Sequence, residues 1–158
     1  TAEQNVVDGP PPGGKSNDMR RARSAAENII PTTTGAAISA TQAIPELKGR
    51  FDGLGIRVPT PVGSLSDFTL VLKKDTTREE INEAFTKAAN GKLKGILEVT
   101  NEQIVSSDIV GNPASGIVDL SLTQVLGGNL AKVIVWYDNE FGYSNRLVEE
   151  VILVGKSI

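Results

Sequence analysis

Apolar residues alternate with other residue types at Leu54, Ile56 and Val58, with Gly55, Arg57 and Pro59 between them. This period of two predicts a strand with one apolar face and puts Arg57 on the other face. Phe68, Leu70 and Leu72 repeat the pattern in the next strand. Thr76 and Thr77 each have a glutamate three residues on, a capping box that opens a helix. Ile81, Ala84, Phe85 and Ala88 share one face of that helix, and Gly91 closes it. Upstream, the segment from Met19 to Ile30 reads as a short helix ending before Pro31. A threonine caps the Ala-rich stretch after Gly35, which runs to Ile44 and stops at Pro45. Short strands are predicted near Ile96–Thr100 and Ile104–Asp108. Two more, Ile117–Val125 and Leu130–Tyr137, flank the hairpin signal Gly127-Gly128-Asn129. A last helix runs from about Phe141 to Val154. With Leu147, Val148, Val151, Ile152 and Val154 it carries more apolar surface than one contact face requires, so it is buried on two sides or faces a partner. Strands dominate the second half without βαβ alternation. The class predicted is α+β, a largely antiparallel or mixed sheet with helices on one face.

Composition narrows the chemistry. A chain of 158 residues buries one core. Its 16 basic and 19 acidic residues give a net charge of −3, which offers no broad attraction to nucleic acid or a membrane surface. It contains neither cysteine nor histidine. A disulfide framework and a thiolate zinc site are therefore excluded, no metal site is expected, and the two commonest groups of nucleophilic and general-base catalysis are lacking. No apolar run approaches the roughly 20 residues of a membrane span, and no signal peptide opens the chain, so a cytoplasmic location is expected. The start at Thr1, without methionine, suggests truncation or processing. Residues 1–18 are dense in Pro, Gly, Asn and Asp, and Pro10-Pro11-Pro12-Gly13-Gly14 forbids helix or central strand there. A long irregular loop is expected there.

Three features point to ligand chemistry. Thr34-Gly35 opens a helix, where free N–H groups and the positive dipole end attract an anion and a glycine allows close approach; an ordinary capped helix is the plainer reading. Arg57 carries the planar fork of donors that suits phosphate, or it is a surface arginine. Asn139, between a strand end and the final helix, caps that helix or pairs its amide with another amide.

Pro31-Thr-Thr-Thr-Gly-Ala-Ala37, Arg57-Val-Pro-Thr60 and Trp136-Tyr-Asp-Asn-Glu140 followed by Gly142-Tyr143-Ser144 occur in the order and spacing of phosphorylating glyceraldehyde-3-phosphate dehydrogenases. Asn28-Ile-Ile30, Pro45-Glu-Leu-Lys-Gly49, Leu93-Lys-Gly-Ile96 and Val105-Ser-Ser-Asp108 also resemble that family, so the likeness covers nearly the whole chain. The resemblance implies that Thr34 and Gly35 hold inorganic phosphate or the substrate phosphate, and that Arg57 binds the substrate's C3 phosphate. It implies further phosphate contacts from Thr1 and Arg21. Asn139 would meet the nicotinamide carboxamide of NAD or NADP, with Tyr143 close by. Residues 1–23 resemble the family's S-loop, 24–140 its substrate-binding domain, and 141–158 a C-terminal helix that would pack on a nucleotide-binding domain absent here.

The implied partners are glyceraldehyde 3-phosphate, inorganic phosphate and, in the full-length protein, further copies in a homotetramer. The family's Ser-Cys-Thr-Thr-Asn segment and its activating histidine are not in this sequence, so no residue here is assigned a catalytic role and the chain alone is expected to be inactive. The loop 1–23 is about four residues longer than the family pattern, and Glu3 replaces its Asp or Thr. Two alternatives are a non-catalytic assembly module derived from such an enzyme and an erythrose-4-phosphate dehydrogenase. The Thr-Thr-Gly-Ala-Ala run favours glyceraldehyde 3-phosphate over the latter.

Overall fold

The computed structural model describes residues 20, 23, 24 and 26–157. The chain divides into two compact units, residues 1–61 and 62–158.

In the first unit, β1 (Ile30–Thr32) pairs antiparallel with β2 (Gly55–Arg57), in the register Ile30 to Arg57 and Thr32 to Gly55. The helix expected over Met19–Ile30 is not found in its described residues: these form turns, a bend and a bridge at Ser24, and Ile30 already belongs to β1. The departure at Ile30 has a local cause. A residue preceding proline is pushed out of the helical region, and Pro31 sits on the exposed side of a two-stranded ribbon, where its missing N–H costs little. Helix α1 spans Ala36–Ala43 and is followed by a 3-10 turn, Pro45–Leu47.

The second unit is built on a five-stranded mixed sheet. Strands β3 (Ser64–Val71) and β7 (Leu130–Tyr137) pair antiparallel along their whole length. On the other side of β7 lie β5 (Gly116–Asp119) and β6 (Gln124–Leu126), and β4 (Leu97–Thr100) joins β5 in parallel. The hairpin turn 127–129 is as expected, with Gly127 and Gly128 both at positive φ. The single strand expected over Ile117–Val125 is broken in the middle. Asp119 turns the chain by accepting from the backbone N–H (3.1 Å) and hydroxyl (2.6 Å) of Ser121. Its other oxygen accepts from Trp136 Nε1 at 3.3 Å, so this buried carboxylate has a partner on each side.

The strand expected over Ile104–Asp108 is instead a 3-10 turn, Ser106–Ile109. Asp108 accepts from the backbone N–H of Val105 at 2.7 Å, the kind of local side-chain bond that competes with a strand ladder.

Helix α2 (Arg78–Asn90) carries the predicted capping box at Thr77 and Glu80 and ends at Gly91. Ile81 and Phe85 pack on one face of the sheet against Val118, Leu120 and Val133. Ile109, Ala114 and Ile117 form a second cluster with Trp136. Arg78 and Asn82 tie α2 to the broken strand by donating to the carbonyl of Leu120 at 3.1 and 3.0 Å. The predicted α+β class with a mixed sheet holds.

Helix α3 (Phe141–Gly155) starts where Gly142 is pressed against the segment before β5. A Cβ at Gly142 would lie 2.7 Å from the carbonyl oxygen of Ala114, whereas one at Gly155 would meet nothing. Helix propensity alone favours alanine over glycine by up to about 1 kcal/mol. Gly155→Ala should therefore be neutral to slightly stabilising in urea denaturation. Gly142→Ala should destabilise by about 1–3 kcal/mol, the usual cost of overpacking; equal effects would show that the close approach is unimportant.

Candidate functional site

The turn from β7 into α3 is held by one carboxylate. Asp138 is buried, 4% exposed. Its Oδ1 accepts from the backbone N–H groups of Glu140 (2.9 Å) and Phe141 (2.8 Å), and its Oδ2 from that of Gly111 (2.9 Å). Bonds to the N–H groups two and three residues on are the N-cap pattern, and the Asp138 carbonyl takes the first helical bond, from Gly142 at 3.2 Å. Asp138, not Asn139, therefore takes up the N–H groups at the start of α3, from two positions before its N-cap residue Glu140. The signal was present in the sequence, because aspartate ranks among the strongest N-cap residues. Burial alone would raise the Asp138 pKa, but the three N–H groups from Gly111, Phe141 and Glu140 outweigh it and hold the carboxyl below its ordinary value.

Released from capping, the Asn139 side chain turns towards the start of β3. Its Oδ1 accepts from the Gly63 backbone N–H at 3.2 Å and from the Ser64 hydroxyl at 3.3 Å. Its Nδ2 donates to no group among the described residues. Gly63 has φ +97°, and a Cβ there would fall 2.9 Å from the carbonyl of Ser106, so only glycine fits. Tyr143, in the first turn of α3, is 69% exposed.

The expected phosphate residues lie in the first unit. Thr34 Oγ1 accepts from the Ala36 backbone N–H at 3.2 Å. The threonine thus caps α1 from one position earlier than an N-cap, which falls on Gly35. No described atom lies within 4 Å of a Cβ built at Gly35, so the helix start is open. Arg57 is half-buried and shares a face with Ile30 and Thr32, both buried. The apolar side of β2 is the exposed one, with Leu54 and Ile56 facing out. This reverses the usual sense of the alternation and leaves the arginine on the sheltered face. Arg57 sits opposite Ile30, four residues before Thr34. At most about 14 Å along the chain separates the two levels. Thr1 and Arg21 lie outside the described residues.

A cavity of about 350 Å³ between α2 and the sheet is lined by Leu70, Phe85, Leu93, other apolar side chains and Lys92, and by none of Thr34, Gly35, Arg57, Asn139 and Tyr143. No cluster of metal-ligating side chains occurs among the described residues. None of their helices is long and apolar enough to cross a membrane.

Because the Asp138 pKa is lowered on folding, its contribution is present above the unfolded value of about 3.9 and is lost as pH falls through that value and below. Asp138→Asn should cost about 1–3 kcal/mol at pH 7, leaving a buried N–H without its acceptor. The gap between wild type and variant in urea denaturation should narrow below about pH 4. A gap that stays constant down to pH 2.5 would show that the carboxylate charge is irrelevant.

Comparison with known proteins agrees with this architecture. Residues 1–139 match the family model described as glyceraldehyde 3-phosphate dehydrogenase, C-terminal domain. A glyceraldehyde-3-phosphate dehydrogenase of Mycobacterium avium is 55% identical over 158 residues, all of this chain and 45% of the relative. Glyceraldehyde-3-phosphate dehydrogenase 2 of Streptomyces avermitilis is 49% identical over 158 residues, again the whole chain and 46% of the relative. The enzyme of Streptomyces coelicolor is 52% identical over 159 residues, with 46% of its length covered. The chain thus spans about half the length of the curated relatives it matches. With its mixed sheet and helix-terminated β7 corner, it belongs to the glyceraldehyde 3-phosphate dehydrogenase C-terminal domain family.

Proposed function

We propose that this chain is the substrate-holding part of a dehydrogenase that converts glyceraldehyde 3-phosphate, inorganic phosphate and NAD or NADP to 1,3-bisphosphoglycerate in the cytoplasm. The observation that carries this reading is the pairing of Arg57 on a sheltered strand face with the open start of α1 in the same unit. A guanidinium and helix N–H groups separated along one ribbon suit two phosphates, one on the substrate and one inorganic. Arg57 grips the C3 phosphate, Thr34 and Gly35 the second anion, and Thr1 and Arg21 add contacts from the S-loop-like segment 1–23. Anchoring both ends positions the reacting carbon, which is the orientation part of catalysis.

The residues at the β7–α3 corner fit a nicotinamide. The Asn139 oxygen is taken up inside the protein, and its two N–H donors remain for a carboxamide acceptor. Tyr143 offers an exposed ring one turn further on. When bound, the cofactor supplies hydride acceptance. This chain supplies binding and orientation; with no cysteine or histidine it has neither thiolate nor imidazole for the bond-making steps, so alone it produces no NADH. Leu147, Val148, Val151 and Ile152 of α3 are all exposed. We assign 141–158 to packing against a nucleotide-binding domain, 24–140 to the substrate domain, and the assembled enzyme to a homotetramer.

Phosphate binding tests the reading. Inorganic phosphate titrated into the chain and followed by NMR should bind with about millimolar affinity, from a few charge-assisted hydrogen bonds of roughly 1.5–3 kcal/mol each. Arg57→Ala should weaken it at least about tenfold, and binding unaltered by that change would refute the arginine's role.

A further inference from the structure

We infer that Ser64 is a positioning residue for the nicotinamide contact: its hydroxyl and the Gly63 N–H lock the amide of Asn139 with its NH₂ edge outward. This inference rests on the cofactor reading of Asn139 proposed above and adds what makes that side chain competent.

A backbone N–H can only donate, so the group that meets Gly63 must be the amide oxygen, and the amide is thereby oriented. Both contacts are long, 3.2 and 3.3 Å, so neither alone holds the side chain firmly. Ser64 is 3% exposed, and its hydroxyl makes no other hydrogen bond among the described residues. As the first residue of β3 it lies directly across from Tyr137, two residues before Asn139, so the ladder between β3 and β7 fixes the hydroxyl beneath the amide. Gly63 is fixed in turn by its positive φ and its approach to Ser106. Without the Ser64 hydroxyl, one long bond remains, and a flipped amide would present its oxygen to a ligand that requires donors. The hydroxyl sets which edge of Asn139 a ligand meets; it does not touch the ligand.

The test follows the side-chain NH₂ signals of Asn139 by NMR in the 158-residue chain, identified by their loss in Asn139→Asp, with β-nicotinamide mononucleotide as the probe. In wild type one sharp NH₂ pair is expected, shifting on titration. Ser64→Ala should broaden or displace that pair and weaken the nucleotide's affinity about threefold to tenfold. Ser64→Thr, which keeps the hydroxyl, should restore both. A merely structural serine would lower stability yet leave the NH₂ pair and the titration unchanged, and that result overturns the proposal. Should the nucleotide move no signal even in wild type, the cofactor reading falls. The response of the NH₂ pair to Ser64→Ala and Ser64→Thr would then still uphold or overturn the lock by itself.

Discussion

A single buried carboxylate organises one corner of the second unit. Asp138 lies where the sheet's long strand gives way to the last helix, and three backbone N–H groups converge on it. One belongs to the N-cap residue of that helix, one to its first residue and one to the loop after the Ser106–Ile109 turn, so one charge joins two segments distant in sequence. Charge-assisted bonds of this kind are the strong ones, and their number keeps the carboxylate ionised despite its burial. Because Asp138 does the capping, its neighbour Asn139 is available for other work. The Ser106–Ile109 turn that leads into that loop also meets Gly63, through Ser106, so the donor that orients Asn139 and the carboxylate that frees it lean on neighbouring backbone.

Much of the second unit was legible in the sequence because its signals were local and mutually consistent. The Thr77–Glu80 capping box, the Ile81/Phe85 face and the glycines of the hairpin each specify one structure and agree with their neighbours. Where expectation failed, a polar side chain had captured backbone that a strand would have used. Asp119 broke one predicted strand and Asp108 replaced another with a turn, and hydrophobic alternation does not register such bonds. At the end of the expected Met19–Ile30 helix, Ile30 is extended because it precedes Pro31, and it pairs with Arg57.

The site was legible in parts. Arg57 and Thr34-Gly35 were identifiable by residue type and by family likeness, but their spacing came only from the strand register, which no local pattern encodes. The alternation around Arg57 has the expected period of two, but the pattern alone leaves open which side is sheltered; here Leu54 and Ile56 face out. The capping role went first to Asn139 because aspartate and asparagine both serve that purpose. Only the coordinates separate their tasks, and the partners of Asn139, more than seventy residues upstream, carry no signal of their own in the sequence.

The corner between β7 and α3 stands on the ionised, triply bonded state of Asp138. A pH titration of its carboxyl carbon by NMR measures that state directly. The structure predicts an apparent pKa below the ordinary aspartate value of about 3.9. A value above it would mean that burial wins over the N–H groups, and the corner between β7 and α3 would not be held as described.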